Sequence, residues 1–336
     1  MENTPIPSYE PSDEKKPSAD ENVFLFPPKF EKKEQGTNVW LKSIVSLALY
    51  LVLGYYIFHS FIILLLITAI IILHEMGHFL AMKYFRYSEL GIFFIPLLGA
   101  YVSGSKREVS QKESAIILLA GPLPGIILGI ILYFLYLNDP SLSLAGISFE
   151  YISLLFIILN LLNLIPVYPL DGGQLLNRVF LEDESVLSKI FVFLSAAFLI
   201  WVAWKLNFWI LLIFPAMMLL RMIGDTKLNS VEKKIEEEGI NLDTSYKELP
   251  DKDYWRIRNV LIAEHPGFKE FTTSPPYEYS PREEKIMTTI ESLLHRHLIQ
   301  DVSIAGKIFI LLIWVAAFAA PWLIDMDMSF FRRFGF

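Results

Sequence analysis

Long uncharged runs dominate the pattern of hydrophobic and polar positions along this chain. Residues 44–73 contain no Asp, Glu, Lys or Arg, and apolar side chains prevail from residue 41 to residue 82. A helix needs about 20 apolar residues to cross a bilayer. The stretch 41–82 therefore predicts two membrane spans that are joined by a turn near His59 and Ser60.

Later apolar runs predict five more candidate spans, at 115–137, 147–168, 190–204, 208–220 and 304–324. The run 91–104 is shorter and includes Pro96 and three glycines, so we expect a strand-like or re-entrant element there. The predicted fold class is an all-α polytopic membrane protein. It has about six or seven transmembrane helices, a small strand-like element near the candidate site and a helical cytoplasmic region.

The polar positions divide the chain into four parts. Residues 1–40 are rich in Pro, Glu, Lys and Ser and predict a disordered tail. A transmembrane core is expected over 41–220, a polar helical region over 221–303, and a last span with its tail over 304–336. Inside the polar region we expect a charged helix at 227–238, a linker at 274–280, and a helix starting at Ser280 with a capping box completed by Glu283.

Lysine and arginine in the short loops indicate the orientation in the membrane. Loop 83–114 carries five and loop 171–189 carries two, whereas the loops predicted on the other side carry only Lys205. This excess predicts a cytoplasmic location for the N-terminus, the basic loops and region 221–303. Arg332 and Arg333 in the C-terminal tail run against that orientation.

Composition narrows the class of protein further. Hydrophobic residues make up 54% of the chain and charged residues 19%, and the mean hydropathy is +0.44, which excludes an ordinary soluble globule. Cysteine is missing from the sequence, so thiolate metal sites and disulfides are excluded. The net charge of −7 gives no reason to expect nucleic acid as a partner.

The candidate chemistry lies at the end of the predicted second span, in the sequence LHEMGHF. His74 and His78 are four residues apart, so on a helix they share one face and can bind one metal ion. Glu75 lies beside them, where a carboxylate can take a proton from metal-bound water. A catalytic zinc needs three protein ligands and one open position, so a third ligand must come from elsewhere.

The third ligand is expected from NLLNLIPVYPLDGG, at the end of the predicted fourth span. Pro166 and Pro169 break the helix there and free backbone groups that need a cavity, while the two glycines after Asp171 permit close backbone approach. Asp171 is the best candidate. Glu150 and Asp139 are weaker, because they lie on the predicted opposite side of the membrane.

HEMGH in one span and NxxPxxPLDGG in a later one resemble the site-2 protease family of intramembrane zinc metalloproteases. The resemblance covers roughly residues 41–180, and it implies a zinc endopeptidase that cleaves transmembrane segments of other membrane proteins. It also implies one zinc per chain, held by His74, His78 and Asp171, with Glu75 as the general base. Asn163 matches the asparagine that binds the substrate backbone or steadies the oxyanion.

The resemblance has a departure and leaves alternatives open. The family often shows Gly-Pro-x-x-Asn in the third core span, whereas this chain has Gly125 at the asparagine position. Segment 91–104 could add a strand to an extended substrate or only plug the groove. The same His, Asp and Glu set could also serve a metal-ion or proton transporter. We expect an integral protein of a bacterial inner membrane, with the bilayer and a substrate's transmembrane segment as partners.

Overall fold

The apolar runs form helices that are long enough to cross a membrane in this computed structural model. Six candidate spans are Val39–Tyr56, Phe61–Tyr84, Gln111–Asn138, Val186–Leu206, Trp209–Glu237 and Ile304–Leu323, and Phe149–Leu164 is a shorter apolar helix. This confirms the predicted multi-pass membrane fold. The structure describes residues 26–31, 39–58, 60–96, 99–106, 109–181, 185–242, 244–268, 278–294 and 298–326.

The described residues form mainly helices, with a few short strands between them. The helices are α1 (Val39–Phe58), α2 (Phe61–Tyr84), α3 (Gln111–Ala120), α4 (Pro122–Asn138), α5 (Phe149–Leu164), α6 (Asp171–Leu175), α7 (Val186–Leu206), α8 (Ile213–Glu237), α9 (Asp251–Glu264), α10 (Glu283–Leu293) and α11 (Ile304–Leu323). The strands are β1 (Ser88–Ile95), β2 (Gly99–Ser105), β3 (Ser143–Leu144) and β4 (Ile147–Ser148). The β3–β4 hairpin is an addition to the predicted elements.

The helix α2 crosses the α3–α4 junction with almost no space between the two backbones. A Cβ atom built on Gly77 would lie 1.9 Å from the carbonyl oxygen of Ala120. No side chain fits at that distance, so glycine is required at position 77. This close crossing brings the HEMGH segment next to the junction between α3 and α4.

The segment 91–104 forms most of an antiparallel hairpin, which confirms the predicted strand-like element. Phe94 on β1 pairs with Ala100 on β2, and the Phe94 N–H donates a 3.1 Å hydrogen bond to Ser46 Oγ on α1. Gly99 has φ +107°, a conformation that glycine adopts without strain. The hairpin is therefore held between α1 and α2, beside the histidines.

The helix α8 differs from the prediction of a short span at 208–220 and a separate charged helix at 227–238. One continuous helix runs from Ile213 to Glu237, across the predicted domain boundary at residue 220. The predicted capping box forms only in part: the backbone N–H of Ser280 donates to Glu283 Oε2 at 2.8 Å, but α10 begins at Glu283 and Ser280 Oγ accepts from the Arg282 N–H instead. We refer to residues 228–294, where α8, α9 and α10 surround a shared apolar core, as the polar domain.

Residues 26–31 differ from the expectation of a solvated tail over 1–40. Phe26 and Phe30 pack against the apolar core of the polar domain, more than 200 residues away in sequence. Composition predicts disorder for a segment with few apolar residues. It carries no information about a surface that distant residues form and against which such a segment can pack. The other residues before Val39 lie outside the described part of the chain.

A buried ion pair joins α9 to α10 inside the polar domain. Arg258 and Glu283 are each 1% exposed and form two hydrogen bonds, from Nε at 2.7 Å and from Nη2 at 3.0 Å. Tyr254 donates a further 2.6 Å bond to the same carboxylate. Removing one partner of such a pair leaves an uncompensated buried charge.

We expect Glu283→Gln to destabilise the polar domain by about 3–5 kcal/mol, measured as the urea dependence of proteolysis within α9 and α10. Arg256→Met is the control, because Arg256 lies on α9 like Arg258, but a third of its side chain is exposed and its carboxylate partners are at 3.6 Å. That variant should lose no more than about 1 kcal/mol. Equal effects for the two variants would contradict a structural role for the buried pair.

Candidate metal centre and active site

One face of α2 presents three buried ionisable side chains at adjoining positions. His74, Glu75 and His78 are 6%, 6% and 8% exposed. The Nε2 atoms of the two histidines are 3.2 Å apart, as their spacing of four residues on a helix predicts. Both rings therefore direct one nitrogen to the same point.

The turn between α5 and α6 places a carboxylate at that point. Beyond Leu164 the prolines at 166 and 169 end the helix, and Asp171 opens the short helix α6. A Cβ atom on Gly172 would lie 1.9 Å from the Leu164 carbonyl oxygen, so only glycine permits this return of the backbone. The same carbonyl accepts a 2.8 Å hydrogen bond from Trp314 Nε1 on α11, which fixes the turn.

Asp171 completes a tight triangle with the two histidines. Its Oδ2 atom lies 3.1 Å from His74 Nε2 and 3.3 Å from His78 Nε2. The three side chains form the one group of potential metal ligands found among the described residues. Two stretches of sequence nearly 100 residues apart thus place two nitrogens and one oxygen around a shared centre.

Hydrogen bonds at the outer ring nitrogens orient both histidines. His78 Nδ1 lies 2.8 Å from the carbonyl oxygen of Ile117, so this nitrogen must carry the proton. His74 Nδ1 lies 2.8 Å from Asn160 Oδ1, and Asn160 Nδ2 donates to the Phe156 carbonyl at 2.7 Å, which orients the amide. Both Nε2 atoms are then left with lone pairs facing Asp171.

These three side chains fit a zinc ion. Two lone pairs and a carboxylate oxygen converge on one point, and Asp171 Oδ2 is buried with no hydrogen-bond partner. Three buried acceptor atoms that meet at one point need a shared cation, and a metal ion supplies it to all three at once. Two imidazoles and one carboxylate are ligands that zinc accepts, and a set of three leaves the fourth position open.

Glu75 lies next to this ligand set but does not belong to it. Its carboxyl is buried, and the backbone N–H of Val102 on β2 approaches it. A carboxylate that is not a ligand remains available to exchange a proton. The side chain therefore lies between the candidate metal centre and the hairpin.

Asn163, the asparagine selected from the sequence, lies one helical turn beyond the residue that contacts the histidine. Its Nδ2 atom donates to the Leu159 carbonyl on its own helix at 3.2 Å, and the side chain is half-buried. Asn160 was missed in the sequence analysis. The spacing of three places both residues near one face of α5, so the sequence could not tell which of them contacts His74.

The departure from the family pattern at Gly125 has a local explanation. A Cβ atom on Gly125 would lie 2.2 Å from Asn160 Nδ2, so the amide of Asn160 fills the space that a side chain at 125 would need. Asn160 itself is 1% exposed. A side chain at 125 and the side chain of Asn160 cannot both be present, because they compete for one place behind His74.

We expect Asn160→Leu to lower the zinc affinity of the purified protein by about 10- to 100-fold, because His74 loses the partner that fixes its tautomer. Competition with a chromogenic chelator measures this affinity. The control is Asn163→Leu, which leaves that hydrogen bond intact and should not change zinc binding. Adding Gly125→Asn to Asn160→Ala should recover part of the affinity, whereas unaltered affinity in Asn160→Leu would contradict the positioning role.

Comparison with known proteins supports the pattern found in the sequence. Residues 61–146 match the family model described as peptidase family M50. Stage IV sporulation protein FB of Bacillus subtilis is 30% identical over 121 residues, which are 35% of this chain and 40% of that protein. A zinc metalloprotease of Methanocaldococcus jannaschii is 24% identical over 217 residues, which are 62% of this chain and 59% of that protein.

A solved structure is also similar to this chain. The site-2 protease from Methanocaldococcus jannaschii is 22% identical and matches with a TM-score of 0.39, over 53% of this chain and 84% of that one. The chain spans 40% and 59% of the lengths of the two curated relatives. The resemblance predicted from the two motifs is confirmed by the match of residues 61–146 to the model of peptidase family M50.

Proposed function

We propose that this protein is an intramembrane zinc metalloprotease, which hydrolyses peptide bonds within or near transmembrane segments of other membrane proteins. The observation that carries the proposal is the convergence of His74, His78 and the orphaned carboxylate oxygen of Asp171 inside a bundle of apolar helices. The match of residues 61–146, which include both histidines, to a peptidase family supports a hydrolytic role for this centre. We assign one zinc to each chain.

Each residue around the metal centre has its own role in the proposed reaction. Zinc, when bound by His74, His78 and Asp171, would polarise the scissile carbonyl and make water easier to deprotonate. Glu75 would take the proton from the attacking water and later give it to the leaving amine. Asn163 would hold the substrate backbone or the developing oxyanion.

The hairpin offers a way to hold the substrate in an extended form. A peptide bond in a helix is shielded by its own hydrogen bond and by the next turn, so the substrate must unwind locally before attack. Among the described residues β2 pairs only with β1, and Val102 of β2 lies beside Glu75. A substrate strand added to the outer edge of β2 would gain main-chain hydrogen bonds and pass next to the catalytic base.

The distribution of charge supports a proposal for the orientation of the protein in its membrane. The basic loop after α2 lies close in sequence to the histidines, which suggests that water reaches the site from the cytoplasmic side. We assign the protein to a bacterial inner membrane, with the N-terminus and the polar domain in the cytoplasm. Cleavage of a membrane-tethered regulator, as in regulated intramembrane proteolysis, would fit this orientation.

Metal removal tests the proposed function directly. The purified protein is incubated with a single-span model substrate before and after chelator treatment, and cleavage and zinc content are measured together. We expect cleavage to stop when zinc is removed and to return when one equivalent per chain is restored. Zinc uptake into vesicles by a protein that cleaves no spanning substrate would instead favour a transporter and contradict the proposal.

A further inference from the structure

Residues 26–31 (Phe-Pro-Pro-Lys-Phe-Glu) lie against an aromatic cleft of the polar domain, which we define by Tyr246, Trp255 and Tyr279. The rings of Trp255 and Tyr279 stack, with centroids 5.7 Å apart and planes 16° apart. The segment has no regular secondary structure, and its two prolines have no N–H to donate. Recognition of the backbone at the two prolines must therefore rely on donors that the cleft supplies.

The cleft supplies such donors from its three rings. Each aromatic side chain donates to one backbone carbonyl of the segment: Trp255 Nε1 to Pro27 at 2.7 Å, the Tyr279 hydroxyl to Pro28, and the Tyr246 hydroxyl to Phe30 at 2.5 Å. Burial raises the pKa of Tyr246 and of Tyr279 above the ordinary value for a phenol. Both hydroxyls therefore remain protonated donors at neutral pH.

Lys29 adds a second set of contacts beside the cleft. Its ammonium group donates to the carbonyl oxygens of Lys247 at 2.8 Å and Leu249 at 2.7 Å, and lies 5.7 Å from the centre of the Tyr246 ring. Its backbone N–H donates to Asp251 Oδ1 at 2.9 Å. These contacts select a lysine directly after the two prolines.

Apolar contacts complete the fit between segment and cleft. The Phe30 ring meets the Tyr279 ring edge-on, with centroids 5.5 Å apart. Trp255 is fully buried where the segment covers it, whereas Tyr279 is 46% exposed. The segment is thus held by its backbone, by one charged side chain and by phenylalanines on both sides of the prolines.

This combination is the chemistry by which aromatic grooves recognise proline-rich peptides. We propose that the aromatic cleft is a peptide-binding site for an extended segment with two prolines followed by a lysine, and that its ligand is residues 26–31 of the same chain. The proposal concerns binding alone and is independent of the proteolytic function. The segment acts as a clasp that ties the N-terminal part of the chain to the polar domain.

The clasp is connected to elements that flank the candidate metal centre. The link 32–38 separates it from α1 and spans at most about 30 Å when fully extended. At the start of α1, the Trp40 ring lies 6.3 Å from the ring of Phe79, the residue after His78. A Cβ atom on Gly91 of the hairpin would lie 2.4 Å from Val39 Cγ1. Occupation of the cleft therefore limits how far the start of α1 can move from the polar domain.

Competition between the clasp and a free peptide tests the proposal. A fluorescein-labelled peptide of residues 24–33 is titrated into the full-length protein, and anisotropy reports binding. We expect the variant K29E/F30A, whose own segment is weakened, to bind the peptide at least tenfold more tightly than the wild type. The reason is that a tethered ligand competes at an effective concentration in the millimolar range.

Substitutions in the cleft distinguish this site from non-specific binding. Adding Trp255→Phe and Tyr279→Phe to K29E/F30A keeps an aromatic ring at each position but removes two donors, and should weaken peptide binding about tenfold. Trp209→Phe is the matched control, because Trp209 is exposed and lies outside the polar domain; it should change nothing. Equal binding by wild type and K29E/F30A, no binding by either, or no effect of the cleft substitutions would overturn the proposal.

Limited proteolysis provides a second test, in which residues 26–31 keep their natural sequence and only the cleft is substituted. Trypsin cleavage after Lys29 should be slow in the wild type and several-fold faster in the Trp255→Phe, Tyr279→Phe variant. Cleavage after Lys285, an exposed residue of α10, reports on the integrity of the polar domain and should be equal in both proteins. If cleavage after Lys29 is equally fast in both, the clasp does not exist as proposed.

Discussion

Glu75→Gln should abolish cleavage of a spanning substrate while one zinc per chain is retained. The amide has nearly the same size and shape as the carboxyl, so the fold and the ligand set should not change. It cannot accept a proton from water at neutral pH. Loss of a general base typically costs about 10²- to 10⁴-fold in rate, which we expect as the fall in kcat.

The measurement combines metal analysis with a cleavage assay on the same purified sample. Glu150→Gln is the matched control, because Glu150 is an exposed glutamate at the start of α5 and should leave the rate unchanged. Rapid cleavage by a zinc-loaded Glu75→Gln protein would remove Glu75 from the mechanism. A loss of zinc in this variant would instead make Glu75 part of the metal site.

The sequence could predict the candidate metal centre because its parts carry strong local signals. Two histidines four residues apart in an apolar helix share a face whatever the tertiary structure is. Asp171 could be identified because few carboxylates occur at membrane depth, and because the residues around it must break the helix. The distances of 3.1 and 3.3 Å to Asp171 required coordinates, but the choice of residues did not.

The parts that the sequence could not predict depend on contacts between distant residues. Asn160 and Asn163 look equivalent in NLLN, and only the packing of α5 against α2 and α4 brings Asn160 to His74. Residues 26–31 look like part of a solvated tail, and the donors that hold them lie more than 200 residues later. The sequence also could not predict that α8 is one continuous helix, because the core contacts of α8 come from α9 and α10.

Asp171→Asn should lower zinc binding more strongly than Asn160→Leu, because a charged ligand is replaced by a neutral one. We expect less than one zinc per chain after purification, and cleavage should be lost together with the metal. Asp139→Asn is the control, since Asp139 is fully exposed beyond α4 and should keep full zinc content. Retention of one tightly bound zinc in Asp171→Asn would show that the third ligand is a different residue.

Thermal stability separates the loss of a ligand from damage to the fold. The wild type should be stabilised by zinc, by about 2.7 kcal/mol at a free concentration 100 times Kd. Without metal, Asp171 Oδ2 gains a hydrogen-bond partner only if one of the two histidines takes up a proton. The asparagine side chain fills the same space, and its amide can donate to one of the two Nε2 lone pairs. The Asp171→Asn protein should therefore be about as stable as the metal-free wild type, and zinc should no longer raise its Tm.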